Sequence, residues 1–280
     1  MDDIRLSPGS VAGPALSWLN VHYHGVFAAI AAFFDFWVNG IVTVLTLAPA
    51  PVVAVILAVL ALLLSGWQKG LLTLAGLMLC MMLGMWDATV QTIALVVLAV
   101  LFSIAAGVPI GVLLSRSARA EAAARPLLDI MQTLPPWVYL VPAVILFGLG
   151  TVPALISTIV YGIAPMVRLT VLAMAQIPQE RLELGRAIGA RKGEILRKIE
   201  LPSALPTLLV GVNQCILLSL AMVVLAGLVG AGGLGAEVTR GLTRMEFGLG
   251  MRASLAIVML AIIMDRVFRG AIPDIYLSRN

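Results

Sequence analysis

The chain has 280 residues, of which 61% are hydrophobic and 11% charged, and its net charge is +4. Its mean hydropathy is +1.07, whereas soluble domains run at about 45–50% apolar and about 25% charged, so an ordinary soluble globule is excluded. The modest positive charge is concentrated in loops, which is a membrane-topology pattern and not a nucleic-acid-binding one.

A chain of this length accommodates six to eight spans of about 20 residues. In lipid every backbone polar group must be paired within its segment, so the spans are helices; barrel strands would alternate, and these segments are apolar all round. The fold class is therefore an all-α polytopic membrane protein. Residues 1–26 are mixed and polar, with Asp2 and Asp3 and no basic leader segment. Residues 27–46 are apolar but carry Asp35 and Asn39. They read as a helix lying at the interface, with a full span as the alternative. Spans follow at 49–66, 71–86, 90–115, 136–150, 152–175, 205–230 and 250–268, about seven in all, and the first two are short enough to be tilted or partial. Three units result: an N-terminal tail with an interfacial helix (1–48), a membrane domain (49–268) and a C-terminal tail (269–280).

Positive residues orient the bundle. Arg116, Arg119 and Arg125 form one basic loop, Arg181, Arg186, Arg191, Lys192, Arg197 and Lys198 a second, and Arg266 and Arg269 follow the last span. Two spans separate each group from the next, so all three fall on one side, the cytoplasm, together with Lys69. Whether 27–46 crosses decides the side of the N-terminus.

The loop at 177–203 is the most informative segment. Glu183 to Ile188 predicts a short helix, Gly189 a break, Arg191 to Ile199 a second amphipathic helix, and Pro202 a stop to it that, lacking an N–H, fits the first turn of the helix that follows. Leu182, Ala187 and Ile188, then Ile195, Leu196 and Ile199, recur at helical spacing and give each helix one apolar stripe. Glu194 can pair with Lys198 at i,i+4. Gly185 weakens its helix by about 1 kcal/mol relative to Ala. By periodicity alone, a generic amphipathic loop explains the segment equally well.

Other polar residues have ordinary readings beside sharper ones. Asn213 and Gln214 sit in an apolar span, where amides seek partners; holding two helices together is the more usual role, lining a pathway the other. Pro135, Pro136, Pro142, Pro153 and Pro165 bend helices, which membranes tolerate only where protein or a water-filled cavity covers the backbone. Met131, Gln132, Tyr139, Asn213 and Met222 are the candidates to face a translocation path, with packing as the alternative for each. Arg168 reads as snorkelling to the interface. Asp265 with Arg266 reads as a local ion pair. No charge lies firmly at a span centre, which argues against ion-driven transport.

Gly230-Ala231-Gly232-Gly233-Leu234-Gly235 satisfies G-x-G-x-x-G but follows a membrane helix and lacks the acidic partner of a dinucleotide site. It reads as a glycine-rich turn or re-entrant segment. The chain contains no phosphate-binding G-x-x-x-x-G-K-[ST], so any ATP-driven motor is another polypeptide. His22 and His24 are too few for a metal site, and Cys80 and Cys215 lie in apolar segments as packing residues.

The loop resembles the "EAA" loop of ABC importer permeases, Glu-Ala-Ala-x3-Gly-x9-Ile-x-Leu-Pro. Glu183, Gly189, Ile199, Leu201 and Pro202 match, while Leu184 and Gly185 depart from the two alanines. The resemblance implies a type I ABC importer transmembrane domain in which Glu183, Leu184, Gly185, Ala187 and Gly189 form a coupling helix inserted into the ATPase. The segments Arg125 to Thr133, Tyr139 to Pro142, Phe147 to Gly150, Gly211 to Gln214, Ala221 to Val224, Gly230 to Gly235 and Ala261 to Arg266 are similar to the glycine betaine/proline betaine permeases, and choline-import permeases share the short N-terminus. The resemblance implies a bacterial inner-membrane homodimer working with two cytoplasmic ABC ATPase subunits and a periplasmic or extracellular solute-binding protein. It implies no cofactor in this chain, ATP and Mg being used by the ATPase, and a quaternary-amine cargo carried by alternating access. A same-fold permease for methionine or a sulfonate, and a stand-alone secondary transporter, are the rival readings.

Overall fold

The computed structural model describes residues 8–270, and side chains from residue 13 onward. Asp2, Asp3 and the tail beyond Gly270 lie outside the described residues. Among the described residues the chain is helical, without strands. In order the helices are α1 (Pro8–His22), α2 (His24–Thr46), α3 (Ala50–Ser65), α4 (Trp67–Met82), α5 (Trp86–Leu114), α6 (Ala118–Thr133), α7 (Trp137–Phe147), α8 (Thr151–Ala175), α9 (Gln179–Ala187), α10 (Lys192–Ile195), α11 (Leu201–Ala226), α12 (Gly233–Thr243) and α13 (Phe247–Gly270).

Among the described residues, five helical rods are long and apolar enough to cross a membrane: α2, α5, α8, the continuous run from Lys192 to Val229, and α13. The α6–α7 pair, bent by 93°, makes a sixth if counted as one span. Helices α3 and α4 have 16 residues each, about 24 Å at 1.5 Å per residue, short of the hydrocarbon core unless the bilayer thins around them.

Three expectations change here. The basic loop after Arg116 is largely helix α6, and the span expected at 136–150 is the 11-residue α7. The cause of the break is Pro135-Pro136: Leu134, pressed by the following proline, is extended at φ −65°, ψ 135°. Second, α2 covers 23 residues and meets the length and composition of a span, which favours the alternative reading of 27–46. It leans on α5 through Phe34 and Phe102, whose rings stand 5.1 Å apart edge to face. Third, Pro202 sits in the first turn of α11 as its missing N–H suits, but no break separates the second elbow helix from that span. The second elbow helix widens into a π-helical stretch at Leu196–Glu200 and continues into α11. Proline has no N–H to give to a carbonyl one turn back, and the wider turn absorbs that missing bond.

Helix α8 lies between α5 and α11 and forms the core. Lipid tails are as apolar as leucine, so helices join through close packing and polar contacts instead of hydrophobic drive. Gly107 faces Met166 and Gly162 faces Ser103. Ser103 Oγ donates to the Ile159 carbonyl at 3.1 Å, and Cys215 Sγ donates to the Gly162 carbonyl at 3.0 Å. Both cysteines are buried and unpaired. The α3–α4 hairpin packs against α13, tied by Ser65 Oγ donating to the Val267 carbonyl at 2.5 Å. The exterior is rich in exposed leucine and valine, among them Leu63, Leu71, Leu113, Val141 and Val258, as a surface facing lipid requires.

At the end opposite the elbow, the glycine run is a turn followed by a helix the sequence did not announce, α12. Gly230 and Gly232 take φ of +81° and +76°, a region open to glycine at no steric cost. The first N–H groups of α12 are capped from α5: Gly233 N donates to Gln91 Oε1 at 2.7 Å and Leu234 N to Thr92 Oγ1 at 2.9 Å. Gly150 N donates to the Val229 carbonyl at 2.8 Å, which joins the start of α8 to the same turn.

Candidate functional site

The elbow is built around a helix stop. Gly189 adopts φ +76°, Gly189 N donates to the Arg186 carbonyl at 3.0 Å and Ala190 N to the Gly185 carbonyl at 3.0 Å. These two bonds form a Schellman closure, and only glycine enters its left-handed position without strain. The chain then reverses into α10, where Arg191 N donates to Glu194 Oε2 at 3.0 Å and Lys198 Nζ stands 3.5 Å from Glu194 Oε1. The amide bond first, and the lysine charge second, hold the Glu194 carboxyl below its ordinary value.

Side chains sort into two faces. Gly185 is buried beneath the second arm, and a Cβ there would lie 2.6 Å from Ile199 Cδ1 and 3.4 Å from Ile195 Cγ1. Gly185, Ile195 and Ile199 thus form the internal seam of the elbow. The other face is bare: Ile188, from the predicted apolar stripe, is 75% exposed and Leu184, one turn earlier, 65%. With Glu183, Arg186, Ala187 and Gly189, also exposed, they leave a charged elbow with an unfilled apolar ridge. Leu201 and Pro202 belong to the first turn of α11.

An unforeseen contact ties this elbow to the bundle. Glu200, at the end of the π-helical stretch, is 5% exposed and receives both guanidinium arms of Arg116, one at 2.7 Å to Oε1 and the other to Oε2. Arg116 follows α5, so the pair locks elbow to core. Arg181 Nη1 adds a bond to Ser203 Oγ at 3.0 Å. Nothing at positions 116 and 200, 84 residues apart, marks them as partners in the sequence.

Of the five residues suggested for a pathway, the structure gathers three. Met131, Gln132 and Tyr139 meet at the α6–α7 bend, where the Tyr139 hydroxyl donates to the Met131 carbonyl. Tyr161 of α8 stands 5.5 Å from Tyr139, and Gln132, Tyr161, Pro165, Gln214, Leu217 and Leu218 line an open groove of about 310 Å³. Below it Arg168 Nη1 donates to Asp129 Oδ1 at 3.0 Å and to Gln132 Oε1 at 2.9 Å, so Arg168 bridges α8 to α6. Asn213 and Met222 lie elsewhere. In the amide orientation that satisfies both neighbours, Asn213 donates to Asp265 Oδ1 at 2.9 Å and accepts from Arg269 Nη2 at 3.2 Å, joining α11 to α13. Adjacent helical residues point about 100° apart, so Asn213 and Gln214 cannot share a face. Met222 is fully buried within the protomer. The signal for the missed members was periodic: Tyr161, Pro165 and Arg168 fall on one stripe of α8, as do Gln214, Leu217 and Leu218 on α11.

A multi-span helical bundle with a charged elbow at one end and a polar groove along one face has the architecture of a membrane-embedded transport subunit. The family described as "Binding-protein-dependent transport system inner membrane component" matches residues 104–270. The chain is 42% identical over 252 residues to a glycine betaine/proline betaine transport system permease protein of Escherichia coli, covering 90% of this chain and 71% of that one. It is 41% identical to a glycine betaine transport system permease protein of Bacillus subtilis, covering 94% of this chain and 93% of the relative. The inward-facing methionine ABC transporter matches with a TM-score of 0.58 at 24% identity, over 69% of this chain and 98% of the other, a likeness of fold. The chain belongs to the binding-protein-dependent transport system inner membrane component family. Its fold is that of a type I ABC importer transmembrane domain.

Proposed function

We propose that this chain is the permease of an ATP-driven importer for glycine betaine, proline betaine and choline-type compatible solutes. It works as a homodimer with two ABC ATPase subunits, which use ATP and Mg, and receives cargo from an external solute-binding protein. The elbow end faces the cytoplasm, in keeping with the arginines and lysines gathered there. The observation that carries the reading is the exposed Leu184–Ile188 ridge on a Schellman-closed elbow that Arg116 and Glu200 fasten to the core. An apolar ridge on a rigid charged knuckle suits a groove on a partner protein. The cargo class follows the relatives at 41% and 42% identity. ATP binding closes the ATPases, the elbow moves, and the inner mouth closes as the outer one opens; the bound nucleotide drives this through its different affinity for the two states.

Proteoliposomes holding the permease, its ATPase and its binding protein are expected to accumulate radiolabelled glycine betaine only when ATP is supplied. Uptake of methionine or a sulfonate in place of betaine and choline would remove the cargo assignment, and uptake without ATP would remove the ATP-driven reading. Gly189→Val and Glu183→Lys are each expected to abolish that uptake while the protein still inserts at wild-type levels. Valine at φ +76° breaks the Schellman turn, and the lysine reverses a charge on the docking face. Wild-type coupling in both variants would show that the elbow is not the transmission element.

A further inference from the structure

The groove beside the α6–α7 bend combines chemistry that packing does not require. Tyr161 lines the groove, and Tyr139 stands behind it, the two rings inclined at 52° with centroids 5.5 Å apart. Tyr139 is held in place because its hydroxyl donates to the Met131 carbonyl and its own carbonyl accepts from Ser157 Oγ at 3.1 Å. Gln132 spends its amide oxygen on Arg168 and keeps two N–H donors. Gln214 stands exposed across the groove. No carboxylate, lysine or arginine is among the lining residues.

A quaternary ammonium has no N–H to donate, so hydrogen-bond acceptors cannot hold its cationic end, whereas aromatic faces can. The carboxylate of a betaine needs donors, which amide N–H groups supply without placing a fixed positive charge in the path. A groove lined by the Tyr161 ring and two glutamine amides, with no formal charge among its lining residues, fits a zwitterion carrying both groups. The groove is open and its aromatic area small, which makes it a weak, transient station. We propose that Tyr161, backed by Tyr139, forms with Gln132 and Gln214 a transit site for a zwitterionic quaternary ammonium solute. The proposal rests on the cargo class stated above and deepens it by naming the residues that touch the solute. Gln132 also belongs to the Arg168–Asp129 contact between α8 and α6, so a solute carboxylate engaging Gln132 bears on the same amide that holds the bend.

The test is ligand protection in the assembled permease–ATPase complex without the binding protein. Leu217→Cys places a thiol in the groove, while Cys80 and Cys215 remain buried. Glycine betaine is expected to slow maleimide labelling of that thiol. Its uncharged-head analogue 3,3-dimethylbutanoate, in which carbon replaces the quaternary nitrogen, is expected to leave the rate unchanged. With Tyr161→Phe the half-protecting concentration stays near that of the parent. With Tyr161→Leu it rises roughly three- to thirty-fold, the span of one cation–π contact. No protection by betaine, equal protection by the carbon analogue, or an unchanged half-protecting concentration in Tyr161→Leu overturns the site. The analogue comparison uses the protein with Tyr161 intact, so it decides the matter even if Tyr161→Leu fails to assemble. An importer that moves another cargo yet shows betaine-specific protection would sink the proposed cargo and leave the site standing. Betaine uptake without protection would do the reverse.

Discussion

Gly235→Ala is expected to lower the melting temperature of the detergent-solubilised permease by several degrees and to cut the yield of assembled complex. Where α11 ends and α12 begins, the two backbones touch. A Cβ at Gly235 would overlap the Val223 carbonyl oxygen and stand 3.1 Å from Val224 Cα, and on the opposite side one at Gly227 would overlap the Gly235 carbonyl. No side-chain rotation relieves a clash with backbone, so α12 must move away from α11. Overpacking that side chains can absorb costs about 1–3 kcal/mol, and a backbone displacement belongs at or above the top of that range. The movement also pulls Gly233 and Leu234 from their caps on Gln91 and Thr92. Gly248→Ala is the control, because a Cβ there meets nothing within 4 Å. Equal melting of the two variants would mean that α11 and α12 are not in backbone contact.

Arg116→Ala is expected to uncouple the transporter: ATP hydrolysis by the assembled complex persists while solute uptake falls by an order of magnitude or more. Glu200 is buried, and the bidentate guanidinium satisfies both of its oxygens. Removing one member of a fully buried pair costs about 3–5 kcal/mol, since the surviving charge is left without a partner. The Arg116 side chain is 50% exposed, so water screens the pair and a loss of about 1–3 kcal/mol is the better figure. Glu200→Gln is milder, because an amide oxygen still accepts from Arg116. The double variant Arg116→Met with Glu200→Leu is expected to recover most of the stability and none of the coupling, since apolar residues fill the site but transmit no directional bond. Thermal melts of Arg116→Met, Glu200→Leu and the double that combines them close the cycle. Strictly additive stability changes, or full uptake in Arg116→Ala, would show that the pair is not the strut between elbow and core.

Much of the elbow was legible in the sequence. Gly189 announced the break because few residues other than glycine tolerate a left-handed φ, and the Glu183-to-Pro202 spacing marked the extent of the elbow. Its packing was not legible. Leu184, Gly185 and Ile188 are all small or apolar, and only the fold of the second arm against the first decides that Gly185 is covered while its two neighbours are bare. Pro202 was legible as a first-turn residue of α11, but the continuity of the rod before it was not. A missing N–H predicts a stop, but a π-helical stretch lets the rod run on, and its last residue, Glu200, finds Arg116 across the bundle. Likewise the Pro135-Pro136 break was visible, whereas the 93° direction of the bend is set by α6 and α7 both packing on α8.

Hydropathy alone determined that this is a helical membrane protein, because exposed backbone in lipid leaves no other structure of its composition. Local motifs with strict conformational demands, a left-handed glycine and a proline pair, determined where its helices break. Tertiary structure alone decided which polar residues meet. Arg116 with Glu200, Arg168 with Asp129, Tyr139 with Tyr161 and Asn213 with Asp265 are pairings between helices, and helical periodicity states only which face a residue occupies, never which neighbour that face will find.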